Sequence, residues 1–547
     1  MKKSLLFAVL LLLACGSAGA YDFMYNGLAY ITTSSNTVTV TSQYARSASS
    51  TENRYDDISG ALVIPQFANY NGKSYNVTAI DNYAFAYTHG ITSIEIPISV
   101  ESIGYGAFMY CREQFDVTFS MPLASRLTTI GERAFYHSSV RSVSLPIQVK
   151  EIGKEAFMQC HELVSFSFDP SSKLTSIGEF AFFNCHELES IDLPNGVTSI
   201  GTYAFTSCQK MTSIHLPDNL TVLTPWVLDL CISLTSLTLP PALTTISEHA
   251  LSQMYKLQSI EIPSSVTTIG NGAFSNDSSL TTITIPSSVT TMGTGVFYSC
   301  AKMKSAVIQN SMMGPQQFRG CKVLDNVTLN NTIKEIPSMC FFGTAFKQFT
   351  IPSSVTSVYY QAFQDSKIET LTVDGDLEST GGNVFVGNPL TKLIVNSSTF
   401  KVSFFPELKD MITTATFGNV THIAEGALQD CAELETLTLP SSVQSIGNSA
   451  FSGCTKLGDV IAKMPKPIAI ASSVFSGVPQ HGYTDLHVVK GAKFRYEAME
   501  VWKEFTAILE DAGEGGGQSV RGDVNGDGVV SATDISIIVN ILAGLEQ

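Results

Sequence analysis

Apolar and polar residues recur along most of the chain in a unit of about 23 residues. Self-similarity at a fixed period of this length is the sequence signature of a solenoid, in which each repeat forms one coil. Five consecutive units align without gaps and begin at Leu188, Met211, Leu234, Leu257 and Leu280. The pattern therefore predicts an elongated array of stacked coils.

Within the last of these units, apolar and polar positions alternate. Ile283 and Ile285 flank Thr284, which is the period-2 pattern of a short strand with one buried face. A second, weaker extended piece follows, and a tight turn then places Phe297 and Cys300 in the core. We therefore predict two extended segments and one turn in each coil.

One apolar residue, usually a Phe that follows Ala, marks the turn of each coil. Coils can bury these residues only against their neighbours, so the sequence predicts a curved right-handed parallel-strand array of about 17 coils. The interval between Phe385 and Leu428 is close to two periods, and Phe404-Phe405-Pro406 within it predicts a degenerate coil. The marker residues are Phe85, Phe108, Phe135, Phe157, Phe182, Phe205, Leu228, Leu251, Phe274, Phe297, Phe318, Phe341, Phe363, Phe385, Leu428, Phe451 and Phe475.

The consensus of the units is Leu-x-x-Ile-x-Leu-Pro-x-x-Val-x-x-Ile-Gly-x-x-Ala-Phe-x-x-Cys. It resembles the BspA-like leucine-rich repeats of bacterial surface proteins over residues 80–480. The resemblance implies a leucine-rich repeat solenoid with small capping elements. It also implies a secreted or cell-surface adhesion protein that binds a host extracellular-matrix protein, an innate immune receptor or another bacterial surface protein.

Residues 21–79 are predicted to form an N-terminal β cap. Segments 67–70 and 74–78 flank Asn71-Gly72, which is a strong signal for a two-residue β-hairpin. We expect this hairpin to cover the exposed edge of the first coil.

Residues 481–508 are predicted to form a C-terminal cap. The cap contains a strand at 486–489 and a capping helix within 493–505. The helix is expected to bury Phe494, Met499, Val501, Trp502 and Phe505.

The first twenty residues have the form of a secretory signal. Lys2 and Lys3 precede an apolar run at 5–14 that is too short to span a bilayer. Cleavage after Ala20 is favoured, and lipidation of Cys15 through a lipoprotein box is the alternative. No later segment has about 18 uninterrupted apolar residues, so we predict export without a transmembrane segment.

Composition and charge exclude two classes of protein. Of the 547 residues, 44% are hydrophobic and 15% are charged, so the chain can bury a continuous core and is not of the disordered type. The formal charge of −16 repels phosphate backbones, and we therefore expect no nucleic-acid partner.

Four cysteines lie one period apart, at Cys160, Cys185, Cys208 and Cys231. They can form a ladder of small buried side chains, or they can act as metal ligands or disulfide partners. The ladder is favoured because soft-metal sites usually show close Cys pairs, and none occurs in this chain. Whether any ladder cysteines pair stays open.

No catalytic motif stands out from the repeats, and we predict that the protein is not an enzyme. His161-Glu162 and His186-Glu187 both lack the second histidine of the His-Glu-x-x-His zinc motif. We interpret the two pairs as one feature of the repeat unit that recurs in neighbouring coils, on an exposed turn.

The residue between the two buried positions of each strand points to solvent. Across the coils this row reads Glu95, Ser144, Ser167, Asp192, His215, Thr238, Glu261, Thr284, Thr372 and Thr438. The row has no aromatic faces on which sugars could stack, which favours a protein partner; the alternative is that it merely solubilises the sheet. The predicted partner-binding residues are Glu95, Asp192, His215, Thr238, Glu261 and Thr284.

A polar linker at 509–520 leads to a calcium-binding module at 521–547. Oxygen ligands of a calcium loop converge on a hard cation, and Gly528 permits the sharp turn. An apolar helical face follows the loop. The predicted Ca²⁺ ligands are Asp523, Asn525, Asp527, the carbonyl of Val529, Ser531 and Asp534.

Aspartate at the last ligand position makes this loop resemble the repeat of dockerin domains. That resemblance implies binding to a cohesin in an extracellular polysaccharide-degrading assembly. Dockerins normally carry two such segments, whereas this chain carries one. A non-catalytic subunit of such an assembly is therefore the alternative function.

Overall fold

The computed structural model describes residues 21–43, 55, 58–479 and 483–511. The predicted signal at 1–20 and calcium module at 521–547 lie outside these residues. The chain divides into two compact units, Met1–Met303 and Lys304–Gln547. Both units are parallel β-solenoids, with about 19 turns in all. Among the described residues, no helix has the length and apolar character that a membrane span requires.

Short strands dominate both units. The strands described in the first unit are β1 Phe23–Tyr25, β2 Leu28–Thr32, β3 Thr37–Thr41, β4 Gly60–Val63, β5 Phe67–Tyr70, β6 Lys73–Ile80, β7 Ile91–Ile96, β8 Ser102–Ile103, β9 Phe115–Phe119, β10 Thr129–Ile130, β11 Val140–Leu145, β12 Glu151–Ile152, β13 Ser165–Phe168, β14 Ser176–Ile177, β15 Ser190–Asp192, β16 Ser199–Ile200, β17 Ser213–His215, β18 Val222–Leu223, β19 Thr245–Ile246, β20 Thr268–Ile269, β21 Thr282–Ile285 and β22 Thr291–Met292. Those described in the second unit are β23 Ser305–Ile308, β24 Asn326–Leu329, β25 Glu335–Ile336, β26 Gln348–Ile351, β27 Ser357–Val358, β28 Thr370–Val373, β29 Ser379–Thr380, β30 Lys392–Val395, β31 Thr414–Phe417, β32 His422–Ile423, β33 Thr436–Leu439, β34 Ser445–Ile446, β35 Asp459–Ala462, β36 Asp485–Val488 and β37 Ala507–Glu510. The helices described are the 3₁₀ turns η1 Val402–Phe404, η2 Pro406–Asp410 and η3 Trp502–Glu504, and the α-helix α1 Lys493–Glu497.

Each solenoid has two sheet-forming faces. The strand face consists of the longer strands, in the order β17-β15-β13-β11-β9-β7-β4 in the first unit and β26-β28-β30-β31-β33-β35-β36-β37 in the second. The opposite face consists mainly of two-residue strands, such as β10-β12-β14-β16 and β18-β19-β20-β22. Neighbouring coils pair in parallel, which confirms the two extended segments predicted for each coil.

The marker residues form a stacked column in the core. In the first unit, adjacent rings from Phe85 to Phe205 have centroids 5.0–5.4 Å apart and are nearly parallel. In the second unit, the rings of Phe341, Phe363 and Phe385 stack at 5.3 and 5.4 Å. All of these rings are buried. The column confirms the predicted role of the Ala-Phe element.

The degenerate coil between Phe385 and Leu428 is also confirmed. Two 3₁₀ turns, η1 and η2, replace its usual turn. Phe405 lies between them, is fully buried and meets Phe385 edge-on at 5.0 Å. The aromatic column therefore continues although the local backbone differs.

Glycines keep the main chains of adjacent coils in contact. A Cβ on Gly381 would collide with the main-chain nitrogen of Tyr360, whereas a Cβ on Gly382 would meet nothing within 4 Å. We expect Gly381→Ala to lower the free energy of unfolding by about 1–2 kcal/mol because two backbones must separate. Gly382→Ala is the matched control and should stay within about 0.5 kcal/mol. Chemical denaturation measures both variants, and equal effects would contradict the close approach.

The N-terminal cap contains the predicted hairpin. β5 and β6 pair antiparallel around Asn71 and Gly72, which have φ values of 49° and 74°. The expectation that this hairpin covers the edge of the first coil is confirmed, because the end of β6 pairs in parallel with β8, with Ala79 opposite Ser102 and Ile80 opposite Ile103. The meander β1-β2-β3, which the sequence analysis missed, extends the sheet beyond β6.

The C-terminal cap differs from the predicted helix. Helix α1 spans only Lys493–Glu497, and it buries Tyr496, whose hydroxyl donates to the Met464 carbonyl at 2.9 Å. Phe494 is exposed and Met499 is only half-buried, so those two predictions are wrong. The helix buries Tyr496 in place of Phe494, and it ends at Glu497, before Met499. The predicted burial is confirmed for Val501, Trp502 and Phe505.

The C-terminal boundary also needs correction. Strand β37 pairs in parallel with β36 and extends through Glu510, into the segment predicted as a linker from 509. β36 and β37 continue the strand face, so the solenoid has about 19 turns where the sequence predicted about 17. The buried Ile508 anchors this last strand.

Candidate interaction surface

The strand face presents the polar row that the repeat pattern predicts. All six predicted partner-binding residues are exposed: Glu95 in β7, Asp192 in β15, His215 in β17, Thr284 in β21, and Thr238 and Glu261 in segments outside the strands. In the second unit, Thr372 and Thr438 are half-buried in β28 and β33. The exposure of the row follows from strand alternation. Its role in binding stays a prediction.

Strand register brings two of these side chains side by side. Asp192 of β15 and His215 of β17 are direct Cα partners in a parallel pair. Side chains at paired positions of parallel strands point to the same face of the sheet. A carboxylate and an imidazole that are 23 positions apart in the sequence therefore become neighbours.

A groove of about 450 Å³ opens beside this pair. It is lined by β15, β17 and residues 236–241, and it contains Asp192, His215 and Thr238. Asp218 adds a second carboxylate to its wall. The other three predicted residues do not line it: Glu95, Glu261 and Thr284.

The groove lies where strand pairing is interrupted. β17 is the last strand of its sheet, and in the described part of the chain no main-chain hydrogen bond involves residues 236–239 of the next coil. Leu237 and Leu239 are nevertheless buried, as in the paired coils. The coil thus keeps its place in the core while its backbone stays separate from β17.

A similar groove of about 410 Å³ lies in the second unit. It is lined by β24 and β26, which belong to different sheets. Asp325, Gln348 and Thr350 supply polar atoms, and the largely buried Phe346 and Phe349 line its apolar part. Both described units therefore have an opening of the same kind on the strand face.

Both grooves carry negative charge without a compensating cation. No Lys or Arg lines either groove as described, whereas Asp192, Asp218 and Asp325 do. Such walls attract basic groups and offer hydrogen-bond acceptors. Within residues 21–43, 55, 58–479 and 483–511, no group of three or more His, Cys, Asp or Glu side chains has the geometry to hold a metal ion.

The cysteines form the predicted ladder, and none of those described is in a disulfide. The thiol of Cys160 donates to the Phe135 carbonyl at 3.0 Å, and that of Cys231 donates to the Phe205 carbonyl at 3.3 Å. Burial raises the pKa of both thiols to about 12. A thiol that stays protonated is a poor nucleophile and a poor metal ligand. The ladder is a packing feature.

His161 and His186 are more buried than the exposed turn predicted for them. The His161 and His186 rings stack at 4.8 Å, and the His137 ring lies 5.7 Å from His161. Nδ1 of His161 is 3.0 Å from the carbonyl oxygen of Asn184. Burial, together with His161, lowers the pKa of His186 below its ordinary value. The repeat period explains this column, but both rings are half-buried because coil stacking shields them.

A second aromatic column was missed in the sequence. Phe180, Tyr203, Trp226 and His249 stack at 4.8–5.4 Å, and all four are half-buried with positive φ. The available signal was an aromatic residue two positions before each marker residue, repeated one period apart. The rings cover one another's faces and present their edges to solvent. Free faces for sugar stacking are therefore confined to the column ends.

Comparison with known proteins agrees with the fold. The model of the BspA type leucine-rich repeat region matches residues 78–211, 198–314, 297–406 and 403–484. No curated protein matches the chain. A leucine-rich repeat protein from Bacteroides ovatus is 23% identical, with a TM-score of 0.48, and the match covers 81% of this chain and 94% of that one. A leucine-rich cell surface protein from Faecalibacterium prausnitzii is 20% identical over 82% and 95% of the two chains, with a TM-score of 0.32. The pneumococcal vaccine antigen PcpA is 17% identical over 90% and 100%, with a TM-score of 0.37.

Proposed function

This chain belongs to the BspA-type leucine-rich repeat family, and from that premise we propose that it is a secreted or cell-surface adhesion protein. Its solenoid binds a macromolecular partner through the strand face. The partner is a host extracellular-matrix protein, an innate immune receptor or another bacterial surface protein. The signal-like residues 1–20 support export.

The observation that supports this proposal most directly is the groove beside Asp192 and His215. It joins three polar residues of the predicted row and adds Asp218, all on one solvent-facing surface. Solenoids commonly bind macromolecules on extended surfaces of this kind. The acidic walls favour a partner with a basic contact surface.

Charge reversal in the groove tests the proposal. We expect Asp192→Lys with Asp218→Lys to weaken partner binding by about tenfold or more, which is about 1.4 kcal/mol. The matched control is Glu335→Lys with Glu378→Lys, which makes the same charge change at exposed positions outside both grooves. Surface plasmon resonance against purified matrix proteins, immune-receptor ectodomains and bacterial surface proteins measures both variants.

Two results would contradict the proposal. One is equal binding by the groove variant and the parent chain. The other is equal weakening by both double variants, since that would indicate a general charge effect. Circular dichroism of each variant checks that the solenoid remains folded.

We also propose that the C-terminal segment 521–547 binds Ca²⁺ and fixes or docks the protein. Support comes from the sequence alone, in the spacing of oxygen ligands from Asp523 to Asp534. Comparing residues 21–547 with residues 21–511, in calcium and in chelator, separates this role from that of the solenoid. A cohesin bound only by the longer chain in calcium would favour the dockerin-type function.

The calcium assignment has its own test. We expect Asp523→Ala with Asp527→Ala to abolish calcium binding, because two of the hard oxygen ligands are lost. Isothermal titration calorimetry measures the loss, while the solenoid's circular dichroism should not change. Asp511→Ala, which alters an acid outside the loop, is the control. A calcium isotherm that the double substitution leaves intact would refute the assignment.

A further inference from the structure

Strand pairing stops at one place on the strand face of the first unit. β4, β7, β9, β11, β13, β15 and β17 pair in parallel, and the sheet ends at β17. In the part of the chain that the structure describes, residues 236–239 and 259–262 of the next two coils make no main-chain hydrogen bonds. Their N–H and C=O groups therefore have no main-chain partner among the described residues.

On the opposite face, pairing is interrupted one coil earlier, between β16 and β18. From β18 onward, however, β18, β19 and β20 are paired on that face, with Thr245 in register with Thr268. The coils at 236–239 and 259–262 are therefore stacked normally on that side. Main-chain groups that the protein leaves unpaired must bond to water or to a ligand.

The second unit repeats the feature. β24 and β26 belong to adjacent coils, but they lie in different sheets, with a groove of about 410 Å³ between them. No main-chain hydrogen bond joins these two described strands. In each unit, an interruption of the strand face thus lies beside a groove.

We propose that these grooves bind an extended peptide segment of a protein partner as an added β-strand. This inference rests on the proposed function and names its mode of recognition. The unpaired edge of β17 supplies the main-chain hydrogen bonds, as in other cases of β-strand addition. Alternate side chains of the peptide then contact the groove walls.

The charge of the groove walls indicates the charge of the peptide that binds there. Asp192 and Asp218 line the first groove and Asp325 lines the second, with no Lys or Arg among the lining residues described. The bound segment therefore carries Lys or Arg at alternate positions. A second copy of this chain is a poor occupant, because each copy has a formal charge of −16.

Selection from a peptide library tests the inference. An eight-residue library with Lys or Arg at alternate positions is displayed and selected on residues 21–547. The selected peptides are then synthesised with N-methyl groups on the amides of odd or of even positions. We expect one N-methyl series to lose binding by tenfold or more and the other to lose little, because alternate amides of a strand point to opposite sides.

Two further measurements locate the peptide. Binding at the first groove should fall about tenfold for Asp192→Lys with Asp218→Lys, and it should persist there for Glu335→Lys with Glu378→Lys. Bound peptide should also slow amide hydrogen exchange at 213–215 and 236–239.

Several outcomes would overturn the inference. These are failure to enrich any peptide, tolerance of N-methylation at every position, or a glycan or self-association that competes for the same groove. If a partner protein depends on Asp192 and Asp218 while N-methylated peptides bind normally, the proposed function stands and strand addition fails. If peptides add as strands but no partner responds to the reversal, the proposed function fails.

Discussion

Replacing Phe157 by Ala should lower the free energy of unfolding by about 3–5 kcal/mol, the cost of removing a large ring from a rigid core. The Phe157 ring is fully buried between Phe135 at 5.0 Å and Phe182 at 5.4 Å, and Phe166 meets it edge-on at 5.0 Å. Its removal leaves a cavity and ends several ring contacts at once. Hydrogen exchange measured by mass spectrometry should show lost protection in the coils that contain these four residues.

The chain itself offers the matched control. Leu228, Leu251 and Leu428 occupy the same position in other coils and are fully buried there. Phe157→Leu should therefore cost about 1.5 kcal/mol or less. Because each coil contacts mainly its neighbours, the coil around Phe274 should keep its protection in both variants. If the Ala and Leu variants showed equal protection from hydrogen exchange, the column of stacked Phe rings would not be a main source of stability.

Replacing Asp277 by Cys should stabilise the protein by about 2–3 kcal/mol at neutral pH, because a buried carboxyl group without full hydrogen bonding is costly whether it ionises or keeps its proton. Asp277 occupies the cysteine-ladder position and is fully buried. Its Oδ1 accepts from the Met254 amide at 2.8 Å, whereas its Oδ2 has no hydrogen-bond partner among the described residues. Cys231 and Cys300 fill the equivalent position in nearby coils. Thermal and chemical denaturation measure the gain.

The gain should depend on pH. Burial raises the pKa of Asp277 well above its ordinary value, and the carboxylate of Asp229 acts in the same direction. The folded state then holds the proton more tightly than the unfolded chain, in which the pKa of the Asp277 carboxyl is about 3.9. The contribution of Asp277 to the free energy of unfolding is therefore fully present below the unfolded-state pKa, and it is lost as the pH rises through the raised pKa of the folded state.

The difference between Asp277→Cys and the parent chain should be small near about pH 4 and should widen toward neutral pH. Asp277→Asn is the control, since it keeps the oxygen acceptor but cannot ionise. It should remove the pH dependence and give less stabilisation, because its amide nitrogen has no assured partner. A stability difference that is the same at every pH would contradict the buried-carboxylate explanation.

Much of the fold could be predicted because burial and sequence share one period. The Ala-Phe element predicted the core column, and Ile-x-Ile alternation predicted which residues, such as Asp192 and His215, face solvent. The caps were predicted less well, since their residues lie outside the repeat. Tyr496 was missed in favour of Phe494, because a short helix shows too little periodicity to decide which ring faces the core.

Amino-acid sequence by itself determined the repeat, the residues buried in each coil, the cysteine ladder and the polar row on the strand face. These properties follow from side-chain alternation, which is local. Only the tertiary structure decided where the row opens into grooves. Residues 236–239 have the same alternation as the paired strands, and they differ only in missing hydrogen bonds to the preceding coil. Such pairing depends on how two backbones are spaced after stacking, and side-chain polarity does not encode that spacing.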